Sequence, residues 1–174
     1  FPHLRDLDFS ACDMLSSEAV MELITEKPKL RTLRIGQCTQ VGEAAVKRIA
    51  RHGLRLENLS LESCIGCTVE ATAQVAKMCC RLRTLSFANC PLVDDSTAEV
   101  LAKMQTGLTD LDMSGCKMIT DKTMCALVKN NTGLTSLKLY GCPRLGRVME
   151  ATSQHCAEMK HFTIGLSNKV TDHG

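Results

Sequence analysis

The sequence contains no tryptophan, one tyrosine and four phenylalanines among its 174 residues. So few aromatic side chains leave little surface for stacking bases, and a formal net charge of +2 is too small to indicate a nucleic-acid partner. No stretch approaches the roughly 18 consecutive apolar residues that cross a membrane. With 44% hydrophobic and 23% charged residues, the chain is neither disordered, nor a coiled coil, nor a collagen-like fibre. We therefore expect a globular domain that binds neither nucleic acid nor membrane.

Cysteine, by contrast, is abundant, with eleven residues. In a small secreted protein this number would suggest a disulfide framework. Six of the cysteines, however, recur at a constant 26-residue step, which a repeat architecture explains and a disulfide framework does not. These six, called the ladder cysteines below, are Cys12, Cys38, Cys64, Cys90, Cys116 and Cys142. Because no signal-peptide pattern stands before the first repeat, we expect reduced thiols in the cytoplasm or nucleus.

The repeating unit reads L-x-x-L-x-[LIFM]-x-x-C, and copies begin near residues 4, 30, 56, 82, 108, 134 and 159. The seventh copy comes one residue early and has Ser167 and Val170 at the positions of the cysteine and the apolar residue after it. We expect the missing residue in the turn from Pro143 to Arg147. The pattern predicts a single array over residues 1–174. It starts and stops inside a unit without a polar cap, so we expect a fragment of a longer array, open at both ends.

Each unit predicts one strand followed by one helix. The alternation around the second leucine has the period of a strand that is buried on one face. Threonine or aspartate before the next segment predicts helix N-caps, at Asp94–Asp95, Thr120–Asp121 and Thr171–Asp172. Apolar residues three and four apart then predict one buried helix face. Examples are Val20, Leu23 and Ile24; Val46, Ile49 and Ala50; and Met124, Leu127 and Val128.

This pattern resembles the leucine-rich repeat family, in its cysteine-containing subtype, over the whole chain. Ile119-Thr120-Asp121 matches the family's segment after the cysteine, and Cys79 and Cys156 match an optional cysteine before the first leucine. The resemblance implies an α/β fold, a right-handed solenoid of about seven 26-residue repeats similar to ribonuclease inhibitor. Strands about 4.8 Å apart and helices about 8–10 Å apart force such an array to bend, with the parallel sheet on the concave face and the helices on the convex face.

The resemblance also implies a function in protein binding. Such arrays are typical of F-box substrate receptors of ubiquitin ligases, in which a Skp1-like adaptor would bind a segment outside this chain. One alternative is a structural scaffold in a large cytoplasmic or axonemal assembly. Another is a nucleotide-regulated sensor or enzyme whose catalytic domain lies outside these residues.

Several residue groups suggest chemistry, and each has a simpler explanation. Cys64-x2-Cys67 with Cys79-Cys80 has the ligand type of a zinc site, but the repeat register makes Cys67 a substitute for an aliphatic side chain. The ladder cysteines could be a redox device, but parallel register points their side chains the same way, so we interpret them as structural, buried thiols. His155-Cys156 is the only adjacent Cys–His pair, and successive helical residues do not face each other. We expect no catalytic residues, no cofactor and no metal.

A run of basic residues could form a nucleic-acid patch on one predicted helix and the turn after it. It comprises Lys47, Arg48, Arg51, His52 and Arg55. Because no aromatic residues are interleaved with it, a solvated helix face is the better interpretation.

The inner face of the predicted sheet is the candidate binding surface. Its side chains are mostly small and polar, and binding hot spots favour tryptophan, tyrosine and arginine. Arg34 and Tyr140 qualify by type, and Asp110, Asp112 and Lys138 join Tyr140 on neighbouring strands. We predict that these five residues contact a protein partner. The alternatives are that they only solvate the sheet and that the partner binds at the open ends.

Overall fold

A computed structural model describes residues 3–165. Within them, strands and helices alternate along the chain. The strands are β1 (Asp6–Asp8), β2 (Thr32–Arg34), β3 (Asn58–Ser60), β4 (Thr84–Ser86), β5 (Asp110–Asp112), β6 (Ser136–Tyr140) and β7 (His161–Gly165). The helices are α1 (Ser17–Glu26), α2 (Glu43–His52), α3 (Val69–Met78), α4 (Asp95–Met104), α5 (Asp121–Asn130) and α6 (Val148–His155). The predicted positions Ser167 and Val170 and the predicted cap Thr171–Asp172 lie outside the described residues.

The strands form one parallel sheet in chain order, β1 to β7. From β1 to β6 each strand pairs with the next in the same 26-residue register, as in Leu59 opposite Leu85. From β6 to β7 the register is one residue shorter, with Leu137 opposite Phe162. The predicted α/β solenoid of strand–helix repeats is confirmed.

One hydrophobic core lies between the sheet and the helices and runs along the array. The second leucine of each unit is its strand component, and Leu85, at the centre, is fully buried. The predicted helix faces supply the other side, with Val46, Ile49 and Ala50 of α2 all buried. Within residues 3–165, contacts between elements join only neighbouring repeats, so each unit is stabilised by the units beside it.

A tight turn follows each of the first six strands. The residue before each ladder cysteine has a positive φ, between 56° and 73°. Its N–H donates to a carbonyl of the next repeat, as Ser63 N does to Ala88 O at 2.8 Å. These turn residues are Ala11, Gln37, Ser63, Asn89, Gly115 and Gly141.

The sixth repeat is one residue shorter than the others, and the change lies in the turn before α6. Buried Leu145 still keeps the 26-residue register with buried Ile119, whereas buried Thr152 comes one residue earlier than the register with buried Leu127 requires. The helix is also shorter, with 8 residues where the five before it have 10.

Among the described residues, no helix has both the length and the apolar character needed to cross a bilayer.

Candidate binding face

The inner face of the sheet carries a shallow depression across β4, β5 and β6. Its volume is about 270 Å³. The buried Leu85 and Leu111 form part of its floor. The polar lining residues are Thr84, Ser86, Asp110, Asp112, Ser136 and Lys138. Three of the five predicted partner-binding residues, Asp110, Asp112 and Lys138, therefore lie together in this depression.

The charges in the depression are held loosely. Lys138 Nζ lies 3.7 Å from Asp112 Oδ2, and the Lys138 side chain is 54% exposed. Asp112 also accepts a hydrogen bond from Ser114 N at 3.0 Å, and Asp110 accepts one from Thr109 Oγ1 at 2.7 Å. Exposed ion pairs contribute about 0–1 kcal/mol, so Lys138 can exchange Asp112 for a carboxylate of a partner at little cost.

Tyr140 and Arg34 occupy different places on the same face. Tyr140 lies at the end of β6, two residues after Lys138, and is 53% exposed. Its ring rests beside Gly165 of β7, where an added Cβ would lie 3.0 Å from Tyr140 Cδ2. Arg34 lies on β2, three strands from β5, and its guanidinium is 3.9 Å from Asp8 Oδ2. Tyr140 is thus at the end of a strand that lines the depression, and Arg34 is not part of it.

The ladder cysteines connect each repeat to the one before it. From Cys38 onward, each thiol donates to the carbonyl of the residue 29 positions earlier, over 3.1 to 3.2 Å. Phe87 O, for example, accepts both Cys90 N from its own turn and Cys116 Sγ from the next repeat. Because a carbonyl oxygen has two lone pairs, the thiol occupies the one that the turn leaves open.

Cys12 differs from the expected buried ladder because it is exposed. It belongs to the first unit, where no earlier strand among the described residues covers the side chain or offers it a carbonyl. The other five ladder cysteines are buried.

Burial keeps the thiols of three ladder cysteines protonated. It raises the pKa of Cys64 and Cys116 to about 12 and that of Cys142 to about 11. A thiolate is the form that attacks an electrophile or binds a metal, and these positions do not supply it at neutral pH. Within residues 3–165, no three His, Cys, Asp or Glu side chains are grouped as metal ligands.

The remaining cysteines and the basic run, for which the sequence suggested chemistry, differ in burial or contact other groups of the chain. Cys67 and Cys79 are buried, while Cys80 is exposed. The Cys156 thiol points to the carbonyls of Val128 and Asn131. On α2, Lys47 lies 3.0 Å from Glu43 and 2.8 Å from Glu70, so part of the basic run is occupied by carboxylates.

Comparison with known proteins agrees with this geometry. A family model described as "Leucine Rich repeat" matches residues 106–127. Among solved structures, a chain of the Rad7 and Elc1 complex in yeast superposes with a TM-score of 0.76 over 91% of this chain, at 20% identity. The chain has the fold of a leucine-rich repeat solenoid. The solenoid spans 41% of the length of that yeast chain. A search of curated proteins finds no match.

The leucine-rich repeat register also explains contacts that the sequence analysis missed. The first residue of a helix often reaches the start of the next helix, 25 to 28 residues on. Ser17 accepts from Gly42 N, Glu43 from Thr68 Oγ1, and Asp95 from Thr120 N and from the hydroxyls of Thr120 and Thr123.

Asp121 also makes three such contacts, all of them with backbone N–H groups. Its Oδ1 accepts from the N–H groups of Gly146, Arg147 and Val148, over 2.8 to 3.2 Å. Asp95 and Asp121 were predicted to cap their own helices; instead their carboxylates connect neighbouring repeats. Asp94 caps its own helix α4, as predicted.

Proposed function

We propose that this solenoid is a non-catalytic protein-binding module whose partner contacts the inner face at the depression across β4 to β6. The observation that carries the proposal is the grouping of Asp110, Asp112 and Lys138 around that concavity, with an exposed aromatic ring at Tyr140. The loosely held ion pair and the exposed ring can be desolvated against a complementary surface. Arg34, on the same face, would contact a partner long enough to reach β2.

We further propose that the module recognises the substrates of an F-box-type ubiquitin ligase adaptor. Its cysteine-containing repeats support this, because they resemble the arrays of such receptors. The yeast comparison also supports it, since a chain with this fold occurs there in a protein complex. A Skp1-like adaptor would bind a segment outside residues 1–174, and the array would be part of a longer protein. Reduced, buried thiols fit the cytoplasm or nucleus.

A structural scaffold is the second candidate. Partly buried apolar side chains in and beside the first and last described strands favour it. They are Leu7 of β1, Phe9 just after β1, and Phe162 and Ile164 of β7. Further units or subunits packed against these strands would complete their burial.

Charge reversal in the depression tests the binding face. In the full-length parent protein, we expect Asp112→Lys to lose protein partners that the wild type retains on affinity purification. Glu22→Lys on the exposed surface of α1 is the matched control and should retain them. Glu22→Lys should melt as the wild type does, because Glu22 is exposed. Asp112→Lys loses the hydrogen bond from Ser114 N and the ion pair with Lys138, so its melting curve is measured to show that it still folds. Equal recovery by the two variants would contradict binding at the depression.

The same purification distinguishes the two functions. Recovery of a Skp1-like adaptor with a cullin supports the substrate receptor. Stoichiometric structural partners without those proteins support the scaffold, and the mapping of contacts would then move to the strands at either end.

A further inference from the structure

A second surface lies at the edge of the sheet where the first four strands begin. Five basic side chains and one carboxylate line a recess of about 90 Å³ there, which we call the basic recess. Its lining residues are Arg5, Lys29, Arg31, Arg55, Glu57 and Arg81. The recess is separate from the depression, whose lining residues all come from β4 to β6.

The repeat register stacks these charges in two columns. Arg5, Arg31 and Glu57 each precede a strand by one residue, and their backbones are bonded in sequence, with Arg31 N donating to Arg5 O and Glu57 N to Arg31 O. Lys29, Arg55 and Arg81 form the second column, each just before the first leucine of a unit. Neighbouring strands are about 4.8 Å apart, and like charges at that spacing repel.

The positive charge in the recess is largely unmatched. Arg31 pairs with Glu57, at 2.9 Å from Nη1 to Oε1. Within residues 3–165, no carboxylate lies within ion-pairing distance of Arg5, Lys29, Arg55 or Arg81. The whole chain has a net charge of only +2, so this edge is more positive than the molecule as a whole. The fold gains nothing evident from concentrating repulsive charges here, whereas an anionic ligand would offset them.

The charge and the side chains of the recess favour a phosphate group on a protein. Arginine binds phosphate through paired N–H groups, and clusters of arginine recognise phosphorylated segments. No aromatic residue lines the recess, which disfavours single-stranded nucleic acid, whose bases stack on aromatic rings.

We propose that the basic recess binds a phosphoserine, phosphothreonine or phosphotyrosine of a partner protein. Arg55 and Arg81 would approach the phosphate from one column, and Arg5 and Arg31 from the other. The proposal rests on the proposed protein-binding function in one respect, namely that the phosphate belongs to a protein. It does not depend on the depression.

A degenerate phosphopeptide library, randomised around a single phosphorylated residue, tests the proposal by retention on the immobilised chain. We expect the phosphorylated pool to be retained at least tenfold more than the same pool after phosphatase treatment. In the variant Arg55→Glu/Arg81→Glu, retention of the phosphorylated pool should fall by about tenfold or more, because carboxylates that repel phosphate replace arginines that donate charge-assisted hydrogen bonds to it. The matched control, Arg48→Glu/Arg51→Glu on α2, makes the same change of charge and should retain it.

The remaining measurements make the result decisive. Arg55→Gln/Arg81→Gln, which removes charge without reversing it, should also lose retention while its melting curve stays that of the wild type. Asp112→Lys should retain the phosphopeptides, so a failed depression and a failed recess are distinguishable. Equal retention of the two pools, or equal loss in the α2 control, would overturn the proposal. Tighter binding of oligo(dT) than of any phosphopeptide, lost in the same recess variants, would replace it with a nucleic-acid site.

Discussion

The residue before each ladder cysteine keeps one backbone conformation while its side chain changes from repeat to repeat. Positive φ costs a residue with a Cβ roughly 1–2 kcal/mol, and glycine avoids that cost. Gly115 and Gly141 are therefore unstrained, whereas Ala11, Gln37 and Ser63 are held there by the fold. The hydrogen bond from each N–H to the next repeat supplies part of the compensation.

Gly141→Ala should reveal this backbone preference directly. The nearest atom to an added Cβ is 3.7 Å away, so the methyl group fits and the cost comes from the positive φ. We expect a loss of about 1 kcal/mol in the free energy of unfolding, measured in urea. Gly133→Ala is the control, because no atom lies within 4 Å of its added Cβ and its φ is not in the left-handed region. Equal effects at the two positions would show that the turn conformation is not what resists the substitution.

Helix α6 depends on its neighbour for its start. The shortened turn before it leaves Arg147 at the N-cap without a side-chain hydrogen bond. Asp121, at the first position of α5, supplies one oxygen to three N–H groups there, two of them ahead of the helix proper. A carboxylate at a helix N-terminus also interacts favourably with the helix dipole. The loss of one residue from the repeat is thereby accommodated without exposing the end of α6.

Asp121→Ala should destabilise the chain at α6 more than elsewhere. Loss of an N-cap acceptor costs about 0.5–2 kcal/mol, and this one serves three donors, so we expect about 2 kcal/mol. Hydrogen exchange should become faster in Val148–His155 than in Val69–Met78, which serves as the internal control. Asp121→Asn keeps an oxygen acceptor and should lose less. Uniform acceleration along the whole array would contradict a local cap.

Sequence patterns predicted the elements well and the contacts between repeats poorly. The periods of 2 and about 3.6 residues identify strands and buried helix faces, because both are local. The partners of Asp95 and Asp121 lie in the next repeat, and only the stacked structure brings them together. Gln105 illustrates the same limit. It stands three residues before Leu108, as Cys79 stands before Leu82. Its side-chain amide donates to Ala76 O at 2.7 Å and to Cys79 O at 3.1 Å, which the difference between glutamine and cysteine concealed in the sequence.

Of the two candidate surfaces, the sequence predicted the depression and did not predict the basic recess. The 26-residue step predicted that Asp112 and Lys138 are lateral neighbours, and they are paired across β5 and β6. The basic recess was not predicted, because its lining residues lie in two columns and come from four repeats. Arg55 was grouped with the helix before it, since sequence proximity suggests that, but its side chain lines the edge of the sheet.

Buried thiols couple the stability of the whole array to alkaline pH. Burial raises the pKa of Cys64, Cys79 and Cys116 to about 12, whereas an unfolded thiol titrates near 8.5. Above about pH 8.5 the unfolded chain releases protons that the folded chain retains, so stability falls as pH rises. The contribution is fully present below about pH 8.5 and is lost progressively toward about pH 12.

Unfolding measured from pH 7 to pH 11 should show this loss. Well above its unfolded pKa, each such thiol contributes a slope that approaches about 1.4 kcal/mol per pH unit. Cys116→Ala should make the slope shallower by about that amount, because it removes one of these thiols. At pH 8, a thiol reagent should modify Cys12 and Cys80 before any buried position. A slope that does not respond to Cys116→Ala would refute this linkage.

Among the described elements, contacts join only neighbouring repeats, so the distance between two surfaces of the array depends on the number of strands between them. The fourth unit, residues 81–106, contributes Arg81 to the basic recess and Thr84 and Ser86 to the depression. Duplicating that unit would leave one copy at each surface and move the two apart by one strand spacing, about 4.8 Å. The array thus acts as a spacer whose length changes by whole repeats, while the side chains at each of the two proposed binding surfaces stay the same.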